Sequence, residues 1–219
     1  MSIKETIKSV DFFSSLNEEQ ITTLSSISTI HTYSKECIIH YEKKESENLF
    51  FLTSGLAKAY KIDKHKNEIF LYYIYKNTLL SEISDINSNT LLSFSNIQTI
   101  EESQILSVNY KKFHEYFLNK NLLCLEFANE VIQRSQQLQT LVSREFIFDS
   151  VAKVAMMISS DLNMFNKLKR HDISLILHIQ PATLSRVLNR LKRNKIIDII
   201  HGEISIIDFL ALEAIYKEQ

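Results

Sequence analysis

Arg186, Asn189, Arg190 and Arg193 stand three and four residues apart in the segment 181–193, interleaved with Leu184, Val187, Leu188 and Leu191. The leucines and valine fall at i, i+3, i+4 and i+7, which lines them along one stripe of a helix. The opposite side then carries Ala182, Thr183, Ser185, Arg186, Asn189, Arg190 and Arg193, with Lys192 beside them. A guanidinium on such a face donates in a fork that fits guanine O6 and N7, or a phosphate. The chemistry indicated is recognition. Catalysis finds no footing in the sequence, which shows no nucleophile paired with a base, no phosphate-cradling glycine loop and no metal-ligand motif. The helix has a sharp start, because Pro181 is the single proline of the 219 residues. At the first helical position its missing N–H is no loss and its fixed φ suits the helix.

Charge points the same way. The chain carries a net charge of −1, yet residues 166–201 contain eight lysines and arginines against two acids, and all six arginines lie at or after position 134. A basic module on an otherwise acidic chain is the electrostatic signature of nucleic-acid binding. A solvated basic face in a helical bundle, binding an acidic protein instead, is the competing reading.

The surroundings must hold that helix. "HDISLILHI" reads as a preceding helix capped by Asp172 with Ile173, Ile176 and Leu177 inward, joined to the next by three or four residues that include Gln180. "KIIDIIHGEISIID" reads as a hairpin turning at Gly202. Two helices and a hairpin make a winged helix-turn-helix with 181–193 as recognition helix.

Upstream, residues 1–28 read as short helices, with Asn17 a cap. Residues 30–110 hold short Ile-, Phe- and Tyr-rich segments between polar turns, an antiparallel β pattern in which Gly55 suits a tight hairpin. "NLLCLEFANEVIQRSQQLQTLVSREF" continues without a helix breaker. Cys124, Ala128, Val131, Ser135, Leu138 and Val142 alternate at +4 and +3, the seam of a coiled coil. A second stripe, Leu118, Leu122, Leu125 and Ile132, is expected to pack on the β domain, and Ile147-Phe148-Asp149 reads as a hinge before the next helix. The expected organisation is therefore α+β: a sensor domain over 1–117, a dimerisation helix over 118–147 and a DNA-binding domain over 148–219. No apolar run is long enough for a membrane span, the N-terminus lacks the features of a signal peptide, and Cys37 and Cys124 make no disulfide framework. A cytoplasmic protein without membrane contact is expected.

This series of β domain, long helix and winged helix-turn-helix resembles the Crp/Fnr superfamily of bacterial transcription regulators over essentially the whole chain. "PATLSRVLNRL" is its most specific stretch, and "NLFFLTSGLAKAYK" and "VNYKKFHEYF" are similar to further family segments. The resemblance implies an antiparallel β-roll of the cyclic-nucleotide-binding type, a double-stranded β-helix, and a homodimer on palindromic double-stranded DNA with RNA polymerase as partner. An effector in the roll would shift the long helices and reorient the DNA-binding domains. It assigns base reading to Arg186, with Thr183 and Ser185 beside it and Gln180 on a phosphate. A glutamate that many members use for base reading is Ala182 here, so the usual half-site is not implied. Arg190, Lys192 and Arg193 are expected to supply phosphate attraction.

For the effector pocket the resemblance points to Glu82, Ser93, Phe94, Leu138 and Gln139. The glycine that precedes the family glutamate is Ser81 here, and the Arg-Ser pair that meets a cyclic phosphate becomes Ser93-Phe94. No Lys, Arg or His occurs from 77 to 110. A buried phosphate without a cation is costly, so cyclic AMP is not the expected effector. Two cysteines cannot supply the four ligands of an iron–sulfur cluster. A haem-dependent nitric oxide or oxygen sensor is an alternative, with His31, His40, His65 and His114, and Cys37 and Cys124 beside them, as available ligands. A small apolar or aromatic ligand, or a pocket plugged by Leu91, Leu92 and Phe94 with no ligand, stays open beside it.

Overall fold

Two capping boxes start the chain. In the computed structural model, which describes residues 2–217, Ser2 and Glu5 cap helix α1 (Ile3–Lys8), and Asn17 and Gln20 cap α2 (Glu18–Ser26) in the same reciprocal way. Ten strands follow: β1 (Ser28–Tyr33), β2 (Ile38–His40), β3 (Glu45–Ser46), β4 (Asn48–Ser54), β5 (Ala57–Ile62), β6 (Glu68–Ile74), β7 (Thr78–Leu79), β8 (Leu91–Leu92), β9 (Asn96–Thr99) and β10 (Ser103–Asn109). They form two antiparallel four-stranded sheets, ordered β1-β10-β4-β7 and β2-β9-β5-β6, and a small β3-β8 ribbon. This is the β-roll. Its interior is packed by Leu52, Ala57, Ala59, Ile74, Leu80, Ile97 and Ile105. A second core joins the N-terminal helices to the first sheet through Phe12, Phe13, Phe51, Phe113 and Phe127, whose rings meet tilted, edge-on or stacked.

Gly55 does not close a hairpin. β4 and β5 belong to different sheets, so the turn carries the chain from one layer of the roll to the other. The position requires glycine: φ is +91°, and an added Cβ would lie 2.3 Å from Ser103 Oγ and 2.7 Å from the Glu102 carbonyl oxygen.

Helix α3 (Tyr110–Tyr116) and a 3-10 turn at Leu118–Lys120 lead to α4 (Cys124–Phe146). Asn121 and Leu123 have positive φ, so the helix begins afresh at Cys124. That break corrects the expected second stripe. Leu118 is buried and Leu122 half-buried, but Leu125 is 79% and Ile132 53% exposed, and it is Leu123 and Phe127 that anchor this end of the helix to the roll.

The chain divides into two units, one ending at Gln137 and the other beginning at Leu138. The second contains α5 (Ser150–Ser160), α6 (Leu162–Lys167), α7 (Arg170–Ile176), α8 (Pro181–Arg193), a hairpin of β11 (Ile197–Ile200) and β12 (Glu203–Ile206), and α9 (Phe209–Lys217). Asp149 caps α5 by accepting from the N–H groups of Val151 and Ala152 at 2.9 and 2.8 Å. Asp172 is no cap. It stands within the first turn of α7, whose N-cap position is Lys169. Val154, Ile158, Phe165, Ile173, Leu184, Leu188, Leu191, Ile197 and Leu212 make the core. No helix among the described residues is long and apolar enough to cross a membrane.

Candidate nucleic-acid interface and sensor interior

Pro181 occupies the first turn of α8, and Leu184, Val187, Leu188 and Leu191 are buried beneath it. At 100° per residue these four centre on one direction, and Ala182, Arg186, Asn189 and Arg193 centre on the opposite one. All four of those residues are exposed, as are Gln180, Pro181 and Ser185, while Thr183 is half-buried. Arg186 Nε donates to the Ala182 carbonyl at 3.3 Å, which lays its side chain back along the helix. Ser185 Oγ donates to the Pro181 carbonyl at 3.1 Å.

Arg190 and Lys192 flank this face on opposite sides. Arg190 borders a shallow cleft with Asp149 and Asn194. Lys192 reaches the hairpin, where Nζ lies 3.0 Å from both Asp198 Oδ1 and the Ile199 carbonyl oxygen. The Lys192 ammonium holds the Asp198 carboxyl below its usual range, so much of its own charge is already matched. The hairpin turns through His201 and Gly202, both with positive φ. Arg170 Nη2 donates to the Gly202 carbonyl at 2.8 Å, tying the hairpin tip to α7.

The α7–α8 turn has a fastening that periodicity does not reveal. His178, at φ +51°, lies with Nδ1 2.8 Å from Glu145 Oε2. Arg144 Nε stands 3.0 Å and Lys153 Nζ 3.4 Å from the same carboxylate. Burial pushes the Glu145 carboxyl up, but the bonds from His178 and Arg144 and the Lys153 charge outweigh it and leave the carboxyl below its ordinary value.

Inside the roll, Glu82 and Ser93 come together, and Phe94 joins them by its backbone. Glu82 Oε2 accepts from the N–H of Phe94 at 2.5 Å and of Ser95 at 3.1 Å. Oε1 accepts from the Ser95 hydroxyl at 3.0 Å and, more weakly, from Tyr72 at 3.3 Å. Burial, with Glu82 adding to it and Arg134 opposing, pushes the Tyr72 phenol up to about 12, so the phenol remains a donor. The Phe94 ring is 49% exposed and is not a plug, whereas Leu91 is buried. Leu138 and Gln139 are exposed and belong to the second unit.

Ser95, Tyr72 and Arg134 were not anticipated. Arg134, on α4, donates to the Leu79 carbonyl and to Gln137 Oε1, both at 3.1 Å, and its guanidinium carbon lies 4.8 Å from the Tyr72 ring centre. A cation does approach the roll, then, but from a helix outside the stretch 77–110. Of the four candidate histidines only His40 is buried. Its ring meets Phe50 edge-on at 4.7 Å, its Nε2 has no hydrogen-bond partner, and burial pushes its pKa down, with Glu82 opposing. On α4, Cys124, Ala128, Val131, Ser135, Leu138 and Val142 are all exposed in the single chain.

Residues 30–120 match the family model of the cyclic nucleotide-binding domain, and residues 155–215 match that of the Crp-like helix-turn-helix domain. No curated protein matches the chain. Among solved structures, a CooA mutant from Carboxydothermus hydrogenoformans is 17% identical over 94% of this chain and 95% of its own, with a TM-score of 0.73. A putative Crp/Fnr-family transcriptional regulator from Eubacterium rectale is 16% identical over 94% and 98%, with a TM-score of 0.68. FixK2 from Bradyrhizobium japonicum is 13% identical over 86% and 97%, with a TM-score of 0.66. At these identities the likeness is one of fold.

Proposed function

Because this chain belongs to the Crp/Fnr superfamily of bacterial transcription regulators, we propose that it acts as a homodimer reading a palindromic operator through α8. Its β-roll answers to something other than cyclic AMP. The observation that carries the DNA reading is the outward face of α8, with Arg186, Asn189 and Arg193 exposed above a fully buried apolar stripe. A straight helix of that shape fits the major groove, and a guanidinium near its middle is in reach of base edges. RNA polymerase is the further partner that such a regulator implies. Competition between a selected duplex and random duplex DNA, repeated at several salt concentrations, tests the reading. An interaction module for an acidic protein would respond to salt but not to sequence.

The effector reading is supported by the chemistry at Glu82. A carboxylate, with no Lys or Arg paired to it among the described residues, already uses the donors a phosphate would need, and Arg134 is held by Leu79, Gln137 and Tyr72. Calorimetry with cyclic AMP should show no binding tighter than ~10 μM, which corresponds to about 7 kcal/mol. Tighter binding would mean that Arg134 leaves those partners for the phosphate. A haem-linked gas or redox sensor is the second reading, favoured by the buried, unpartnered His40 Nε2. A Soret band in the purified protein would establish it.

A further inference from the structure

Two consecutive backbone N–H groups, at Phe94 and Ser95, point at one oxygen of Glu82, while the Ser95 hydroxyl and the Tyr72 phenol serve the other. The Ser93 hydroxyl stands 3.4 Å away, but its proton goes to the Ser95 carbonyl at 2.9 Å, which shapes the turn that aims these donors. Successive N–H groups converging on one point form an anion-binding concavity. Ser95 is fully buried and Ser93 nearly so. Glu82 is delivered to the concavity by its own neighbours: Leu80 N–H donates to the Phe50 carbonyl at 2.8 Å, and Phe50 N–H donates to the Ser81 hydroxyl at 2.9 Å. The ion pairs among the described residues do not include Glu82. Its charge is therefore met by dipoles and hydroxyls.

We propose that this concavity is an anion site whose resident ligand is the chain's own Glu82 carboxylate, so that the roll holds its 93–95 segment in order without a phosphate-bearing effector. The inference rests on the regulator reading for the idea that the roll is the sensor, and it specifies how that sensor is set. An external phosphate cannot share the site, because it would bring a second anion against the half-buried Glu82 carboxylate at short range. Only removal or neutralisation of Glu82 frees the donors for another anion.

Calorimetry with inorganic phosphate and with cyclic AMP, on the wild type, Glu82→Ala and Glu82→Gln, tests this. The wild type should give no binding heat with either probe. Glu82→Ala should bind at least one of them at least about tenfold more tightly than the wild type, as expected when charge-assisted donors are vacated. Amide hydrogen exchange supplies a second measure: the N–H groups of Phe94 and Ser95 should exchange at least about tenfold faster in Glu82→Gln, whose neutral amide oxygen accepts more weakly. If Glu82→Ala does not fold, the exchange result decides. A wild type that binds a probe as tightly as folded Glu82→Ala, a folded Glu82→Ala that gains no binding, or unchanged exchange in Glu82→Gln would each overturn the proposal. Operator binding by the wild type is measured alongside. Its loss of sequence preference would refute the regulator reading and leave the anion-site result standing.

Discussion

Lys192 and Arg193 adjoin in sequence and differ in what holds them. Lys192 is paired with Asp198 and the Ile199 carbonyl, whereas Arg193 stands at the centre of the exposed face. Both are expected from sequence to supply phosphate attraction, and they should now separate. Arg193→Ala should make the dependence of log K on log salt shallower by about one unit per half-site, and Lys192→Ala by less, because Asp198 already matches its charge. Filter or fluorescence titrations over a salt series measure both slopes, and equal slopes would show that Lys192 leaves Asp198 on binding DNA. His40 gives a pH dependence. Burial keeps its pKa below the ordinary value, so the unfolded chain binds the proton more readily. Stability attached to His40 is thus present above about pH 6.5 and lost as pH falls from there toward the depressed folded value. Urea midpoints of the wild type should fall more between pH 7.5 and 5.5 than those of His40→Leu; parallel profiles would place the titration elsewhere. Residue pairs such as Arg134–Tyr72 and Glu145–His178 were not legible in the sequence. Each joins elements far apart in the chain, and no local spacing announces them.

At the scale of elements, legibility follows locality. Helix α8 runs from Pro181 to Arg193 as its proline and apolar stripe foretold, and the hairpin turns at His201-Gly202 as its glycine foretold, because both signals act within a few residues. Gly55 was recognised as a turn glycine, but its role was misjudged. Which sheet a strand joins depends on distant partners, and β4 pairs with β10, Asn48 opposite Asn109, while β5 pairs with β9, Tyr60 opposite Asn96. Helices α6 and α9 went unread, although Asp161 and Asp208 begin them by accepting from Met164 and Ala211 N–H groups at 2.9 Å. Helix α4 shows both outcomes. Its length was legible, its second stripe was not, since the break at Asn121–Leu123 resets the helical phase. The first stripe leaves Val131 47%, Leu138 47% and Val142 53% exposed, an apolar line along a helix that also exposes Leu125, Ile132 and Phe146. Such a seam suits a partner helix. Leu138→Glu would set like charges face to face near a two-fold axis. It should give a monomer by light scattering and abolish operator binding, and a stable dimer with wild-type affinity would move the interface off α4.

For the whole molecule, the basic module and the β-roll divide the work. The local excess of positive charge lies in residues 166–201 of the second unit, while the first carries a polar cluster built around Glu82. Composition revealed the first of these and could not reveal the second. A surplus of arginine and lysine is additive along a sequence, whereas an anion concavity depends on the directions of backbone N–H groups. In the proposed function α8 reads DNA, with Arg186 near its middle as the base-reading group. The most direct measurement is binding selection from randomised duplexes by the wild type and by Arg186→Ala in parallel. The wild type should select a palindromic motif, and Arg186→Ala should bind it more weakly by ~1–3 kcal/mol per half-site and relax preference at one symmetric base pair. An unchanged motif and affinity in Arg186→Ala, or no motif at all for the wild type, would contradict it.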